Sequence, residues 1–149
     1  PYTKSQSRKK LTKSPKYLLF DLGLRRLAAQ EHRTLPLKYL GKLFEQFIGL
    51  ELIRWSRLQD NKTTVHFWRD SSGPEVDWLV SRDQSLLPIE VKWTETPSLR
   101  DAKHLELFLK EYPLATKGYV VCQVSQPQIL AKGIEAISWK DLIKKLSAW

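Results

Sequence analysis

Two acids and a lysine stand at close spacing in neighbouring segments of this chain. Asp77 lies within Glu75-Val-Asp-Trp-Leu-Val80, and Glu90 and Lys92 lie within Leu87-Pro-Ile-Glu-Val-Lys-Trp93. Both segments alternate as strands do, so Asp77 falls on one face of the first, and Glu90 and Lys92 share one face of the second. Paired in register, the two strands would bring two carboxylates and one ammonium together. Phosphodiesters resist hydrolysis because their anionic oxygens repel a nucleophile. A catalyst for that reaction needs a cation to neutralise charge and an activated, well-placed water. Carboxylates are the oxygen donors that Mg²⁺ or Mn²⁺ prefers. This makes Asp77 and Glu90 the candidate metal ligands, and the carbonyl of Val91 can add a donor. Lys92 can orient the water or stabilise charge as it develops. Glu45, upstream, offers a further acid for a second ion or a water. The candidate catalytic set is therefore Glu45, Asp77, Glu90 and Lys92.

These side chains depend on the elements that carry them. Residues 37–57 have apolar residues (Leu40, Leu43, Phe44, Phe47, Ile48, Leu52, Ile53) around most of a helical circumference, which predicts a largely buried helix. Glu45 shares a line with Gly41, Gly49 and Leu52, so it needs a partner, and the two glycines would admit another backbone. A three-strand meander is expected next, over 63–69, 75–82 and 86–93, with turns at 70–74 and 83–85. Ile89, Val91 and Trp93 mark the core face of the third strand. A helix over 98–111 turns Ala102, Leu105, Phe108 and Leu109 inward. Residues 117–124 form a continuously apolar strand suited to a central, doubly covered position. Residues 127–133 suit a short helix, 134–138 a strand and 139–146 a terminal helix. At the other end, 17–20 read as a brief strand or buried turn before a helix near 25–30, and Pro36 breaks the chain.

The chain has 149 residues with 25 Lys+Arg against 16 Asp+Glu, a net charge of +9, and 42% hydrophobic residues. That supports one packed domain (residues 17–149) preceded by a basic arm or linker (residues 1–16) that carries Lys4, Arg8, Lys9, Lys10, Lys13 and Lys16. The positive balance favours polyanionic partners, nucleic acid first. Cys122 is the single cysteine, so no intrachain disulfide can form. It sits in an apolar run as a small core residue, and a reducing, cytoplasmic location fits. No stretch has the length of a transmembrane helix. The chain begins at Pro1 and contains no Met, and so reads as a piece of a longer protein. His32, His66 and His104 lack zinc-site spacing. The tryptophans Trp68, Trp78 and Trp93 fall on strands and read as core residues. No G-x-S-x-G is present. Glu-x-Lys alone is common on solvent-facing strands. Asp77 on the preceding strand and Glu45 on a buried helix give it weight here.

Taken in order, Lys13-Ser-Pro-Lys-Tyr-Leu-Leu-Phe-Asp-Leu-Gly-Leu24, Gly41-Lys-Leu-Phe-Glu45, Gly73-Pro-Glu-Val-Asp77 and Pro88-Ile-Glu-Val-Lys92 resemble the PD-(D/E)xK nuclease superfamily. They resemble more closely the C-terminal domain of uncharacterised function found in prokaryotic AAA+-type ATPases. The resemblance implies an α/β fold with an αβββαβ restriction-endonuclease-like core, a central mixed sheet flanked by helices. It implies a divalent ion at Asp77 and Glu90, Lys92 as catalytic lysine and Glu45 as helix acid. The proline of the superfamily's first motif corresponds to Pro74, separated from Asp77 by Glu75 and Val76. The implied partners are DNA and the P-loop ATPase portion of the same full-length protein. The chain itself has no G-x-x-x-x-G-K-[ST], so ATP binding by that route would belong to another portion. The reading that follows is a metal-dependent nuclease-like domain acting on DNA phosphodiesters. The alternative is a catalytically inactive module that binds nucleic acid or protein, and a purely structural or oligomerisation role is the blandest reading.

Overall fold

In the computed structural model, residues 16–31, 34–59, 62–70 and 73–149 are described. The basic arm through residue 15, His32 and the middle of the 70–74 turn lie outside them. The elements in chain order are helices α1 (Leu22–Ala28) and α2 (Leu37–Arg57), strands β1 (Thr63–Arg69), β2 (Glu75–Arg82) and β3 (Ser85–Val91), helix α3 (Leu99–Glu111), strands β4 (Gly118–Cys122), β5 (Gln128–Ala131) and β6 (Ile134–Ser138), and helix α4 (Leu142–Ser147). The order from α2 to β4 is helix, three strands, helix, strand, as the periodicities predict.

The strands form one mixed sheet in the order β1-β2-β3-β4-β6-β5. β1, β2 and β3 are an antiparallel meander, β3 runs parallel to β4 and β4 to β6, and β5 closes the far edge antiparallel to β6. The β2–β3 hairpin turns through Asp83-Gln84, and Asp83 takes a left-handed φ of 52° that acidic side chains tolerate better than most. The parallel β3–β4 pair needs a crossover, which α3 supplies.

Helices cover both faces, so apolar residues are required on both. Phe44, Ile48, Leu52 and Trp55 of α2, with Leu142 and Leu146 of α4, pack on Trp78, Val80, Leu87, Ile89, Val91, Tyr119 and Val121. On the opposite face, Ala102, Leu105 and Phe108 of α3 pack on Leu79, Leu86, Val120, Cys122, Ile134 and Ala136. This three-layer arrangement is why β3 and β4 read as apolar runs and not as strict alternation. β4 is buried from end to end in an interior position, as its composition predicts.

Several local expectations change. Residues 127–133 hold strand β5, not a short helix, because Gly133 at φ 77° turns the chain back and lets 128–131 pair with β6. Residues 17–20 form neither strand nor buried turn: Tyr17 is 87% and Phe20 75% exposed, and only Leu18 packs against the core. The first helix begins earlier than 25–30, at Leu22, because Asp21 caps it by accepting from the Leu24 amide at 2.9 Å. β3 ends at Val91, leaving Trp93 beyond it and 43% exposed against Phe44. The last helix is preceded by a 3₁₀ turn over Trp139–Asp141. No helix among the described residues is long and apolar enough to cross a membrane.

Candidate active site

The site begins with an irregularity in the sheet. His66 pairs with Leu79 but Trp68 pairs with Val76, so β2 carries one more residue than β1 around Asp77–Trp78. Such a bulge re-aims side chains and breaks the ladder locally. On the other side of β2, regular pairing with β3 runs from Arg82↔Ser85 to Trp78↔Ile89. Beyond it, side-chain bonds replace the ladder: the amide of Val91 donates to Asp77 Oδ2 at 2.9 Å. Trp78 points the other way, into α2, where its Nε1 donates to the carbonyl of Glu45 at 3.2 Å. Its ring lies where a Cβ on Gly49 would stand. Gly49 therefore admits a ring, not a backbone, and this contact sets the height of Glu45 over the bulge. Gly41, by contrast, faces open space.

Asp77 is 9% and Glu90 6% exposed, and they are the buried polar or charged residues of the described core. Burial pushes the Asp77 carboxyl up to about 7, helped by the neighbouring charges of Glu90 and Glu45. The Val91 amide and Lys16 pull it back without prevailing. Burial also raises Glu90, against the opposing pull of Lys92, His104 and the Asp77 amide. Glu90 Oε1 meets Lys92 Nζ at 2.9 Å. Its Oε2 is buried and has no hydrogen-bond partner among the described residues. Burial disfavours the charged form of Lys92, but Glu90, then Asp77 and Asp101, outweigh that and raise it. The structure therefore brings Asp77, Glu90 and Lys92 together at the open end of the β2–β3 pair.

Glu45 is placed differently from a buried acid awaiting a metal. Its side chain is 30% exposed and accepts from Lys16 Nζ at 2.6 Å. The same ammonium donates to the Asp77 carbonyl at 3.3 Å and lies 3.8 Å from Asp77 Oδ1. Among the described residues no group of three His, Cys, Asp or Glu is arranged to hold a metal ion. Lys16 stands where Glu45 and Asp77 face each other. Composition assigns it to the basic arm. Its one signal in the sequence is position, immediately before the apolar 17–20 run that leads into the first helix. His104 and Asp101 of α3 also act on the site electrostatically, which helical periodicity alone does not single out.

Asp77 and Glu90 are oxygen donors of the type a small divalent cation takes. Mg²⁺ is usually held by one or two carboxylates and keeps several waters. An unpartnered, buried carboxylate oxygen beside a carboxyl held near neutrality is the kind of site a cation would complete.

Comparison with known proteins gives the following. Residues 40–142 match the family described as "Domain of unknown function (DUF4143)". No curated protein matches the chain. Chains of solved structures do match. One comes from a refined half-complex from a tetradecameric assembly of Thermococcus gammatolerans McrB AAA+ hexamers with bound McrC. That chain has 17% identity and a TM-score of 0.54, and the match covers 72% of this chain and 33% of the other. The likeness is one of fold, and this chain corresponds to about a third of that longer one.

Proposed function

The chain belongs to the DUF4143 family, and from that premise and the site geometry we propose that it is a PD-(D/E)xK-type, metal-dependent nuclease-like domain. In this reading it acts on DNA phosphodiesters and works with the AAA+ ATPase portion of a longer protein. The observation that carries the proposal is the buried Oε2 of Glu90, without a hydrogen-bond partner among the described residues, beside Asp77, whose carboxyl is raised to about 7. A cation held by Asp77 and Glu90 would meet that oxygen, which supports the reading. The likeness of fold to a chain of an AAA+ assembly is compatible with an ATPase partner.

In this reading Asp77 and Glu90 would hold Mg²⁺ or Mn²⁺, which would neutralise phosphate charge and lower the pKa of water. The chain's own residues do the rest. The Val91 amide fixes one Asp77 oxygen, so the other is left to face the ion. Glu90 holds Lys92 by one oxygen and keeps it protonated, so the ammonium can orient water and stabilise charge on a phosphate. Glu45, anchored through Trp78, supplies the outer acid.

The test is cleavage of single-stranded, duplex and branched DNA with Mg²⁺ or Mn²⁺, beside calorimetric titration of Mn²⁺. Wild type should cut and bind saturably, Asp77→Ala should not cut, and Glu90→Gln should lose binding. Equal behaviour of wild type and Asp77→Ala would remove the catalytic reading. A second reading rests on Lys16, whose ammonium already sits against Glu45 and Asp77: a module that binds nucleic acid or protein without turnover. Salt-steep DNA binding with no cleavage would favour it.

A further inference from the structure

We infer that Lys16 is the resident cation of this site, an internal counter-ion seated between Glu45 and Asp77 that a divalent ion must displace to bind. The inference rests on the metal-site reading above. Its basis is that the groups in contact with the Lys16 ammonium attract positive charge. Nζ lies 2.6 Å from Glu45 Oε1, 3.3 Å from the Asp77 carbonyl oxygen and 3.8 Å from Asp77 Oδ1. It also stands over two ring faces, 5.0 Å from the centroid of Trp78 and 5.6 Å from that of Phe67. Carboxylates, a carbonyl and aromatic faces together make a cation seat, built from a helix, the strand bulge and β1. A solvated surface lysine would not gather these groups; the Lys16 side chain is 23% exposed.

The seat and the candidate metal position share Asp77 Oδ1. A Mg²⁺ ion on Asp77 Oδ1 would lie about 2 Å from that oxygen, and the ammonium already lies 3.8 Å from it. Two cations cannot share so small a space without strong repulsion. Lys16 precedes the first helix on a strap without strand pairing, so it can leave without unravelling the sheet. The site then has two states: closed by its own lysine, or open and loaded with a metal.

The test is Mn²⁺ titration of the full chain by calorimetry, comparing wild type, Lys16→Met and Lys16→Arg. Methionine keeps an apolar stem against Trp78 without the charge, and should bind Mn²⁺ more tightly by about tenfold or more, the scale on which neighbours tune metal sites. Arginine restores the charge and should bind as weakly as wild type. Saturable binding of equal strength in all three, or weaker binding in Lys16→Met, overturns the inference while leaving the metal site standing. No saturable binding in any of the three removes both. Limited trypsin digestion supplies a readout that needs no Lys16 variant. Mg²⁺ should speed cleavage after Lys16 in wild type and not in Glu90→Gln. An unchanged rate in wild type that binds the metal overturns the inference.

Discussion

Replacing Asp77 by asparagine should flatten the pH dependence of stability. Asp77 is raised from 3.8 to about 7 in the folded protein, by burial first and by Glu90 and Glu45 after it. The folded pKa lies above the unfolded one, so the native state binds the proton more tightly. The stabilisation from that proton is complete below about pH 4 and is lost as the pH rises through 7. At about 1.4 kcal/mol per pH unit, the full span from 3.8 to about 7 amounts to roughly 4 kcal/mol. Most of that span lies between pH 5 and pH 7, so metal-free wild type should lose about 3 kcal/mol between pH 5 and pH 8.5. The asparagine amide can still accept from the Val91 N–H through its side-chain oxygen, but it carries no charge. Matching wild type below about pH 4, the variant should exceed it by about 1–2 kcal/mol at pH 5 and by about 4 kcal/mol at pH 8.5. The assay is urea denaturation in EDTA at both pH values, with m held common to the two proteins. Glu90 titrates with Asp77 as a pair, so the difference between the two curves, not either curve alone, is the quantity to read. Parallel pH profiles for the two proteins would refute the electrostatic account. Saturating Mn²⁺ should return the lost stability to wild type at pH 8.5 and leave Asp77→Asn unchanged.

Gly49→Ala should cost about 1–3 kcal/mol, because its methyl group collides with the Trp78 ring in a packed core. The same substitution should weaken Mn²⁺ binding as Trp78 releases Glu45, and urea denaturation with calorimetry checks both. Cys122 is fully buried and burial raises its thiol, so iodoacetamide should label it in urea and leave it unmodified in the native protein at pH 8. Rapid native labelling would mean that β4 opens. Lys92→Met should leave Glu90 buried without its ammonium, costing about 1–3 kcal/mol at pH 8 and less at pH 5, where the acid can protonate. Equal loss at the two pH values would contradict the raised state of Glu90.

Much is legible before any tertiary structure, because periodicity is a local property. The 3.6-residue repeat of α2, the apolar run of β4 and the Gly-Pro turn before β2 each declare their element within a dozen residues. The types and spacing of Asp77, Glu90 and Lys92 name the chemistry for the same reason: on adjoining antiparallel strands they have few ways to avoid one another. β5 is not legible in this way, because a four-residue edge strand takes its conformation from β6, which no local pattern records.

What only the tertiary structure decided is the electrostatic state of the site. The bulge at Asp77–Trp78, the closeness of the Trp78 ring to Gly49, and the burial that holds Asp77 near neutrality arise from packing between distant segments. Lys16 shows the division most clearly. By composition it is one more cation in a basic arm. Only the fold carries it across 61 residues of chain to Asp77, where burial and facing acids make one ammonium matter more than the rest. Residue type and spacing determined which groups are available here. Which of them meet, and at what charge, depends on desolvation and distance, and those exist only once the chain has folded.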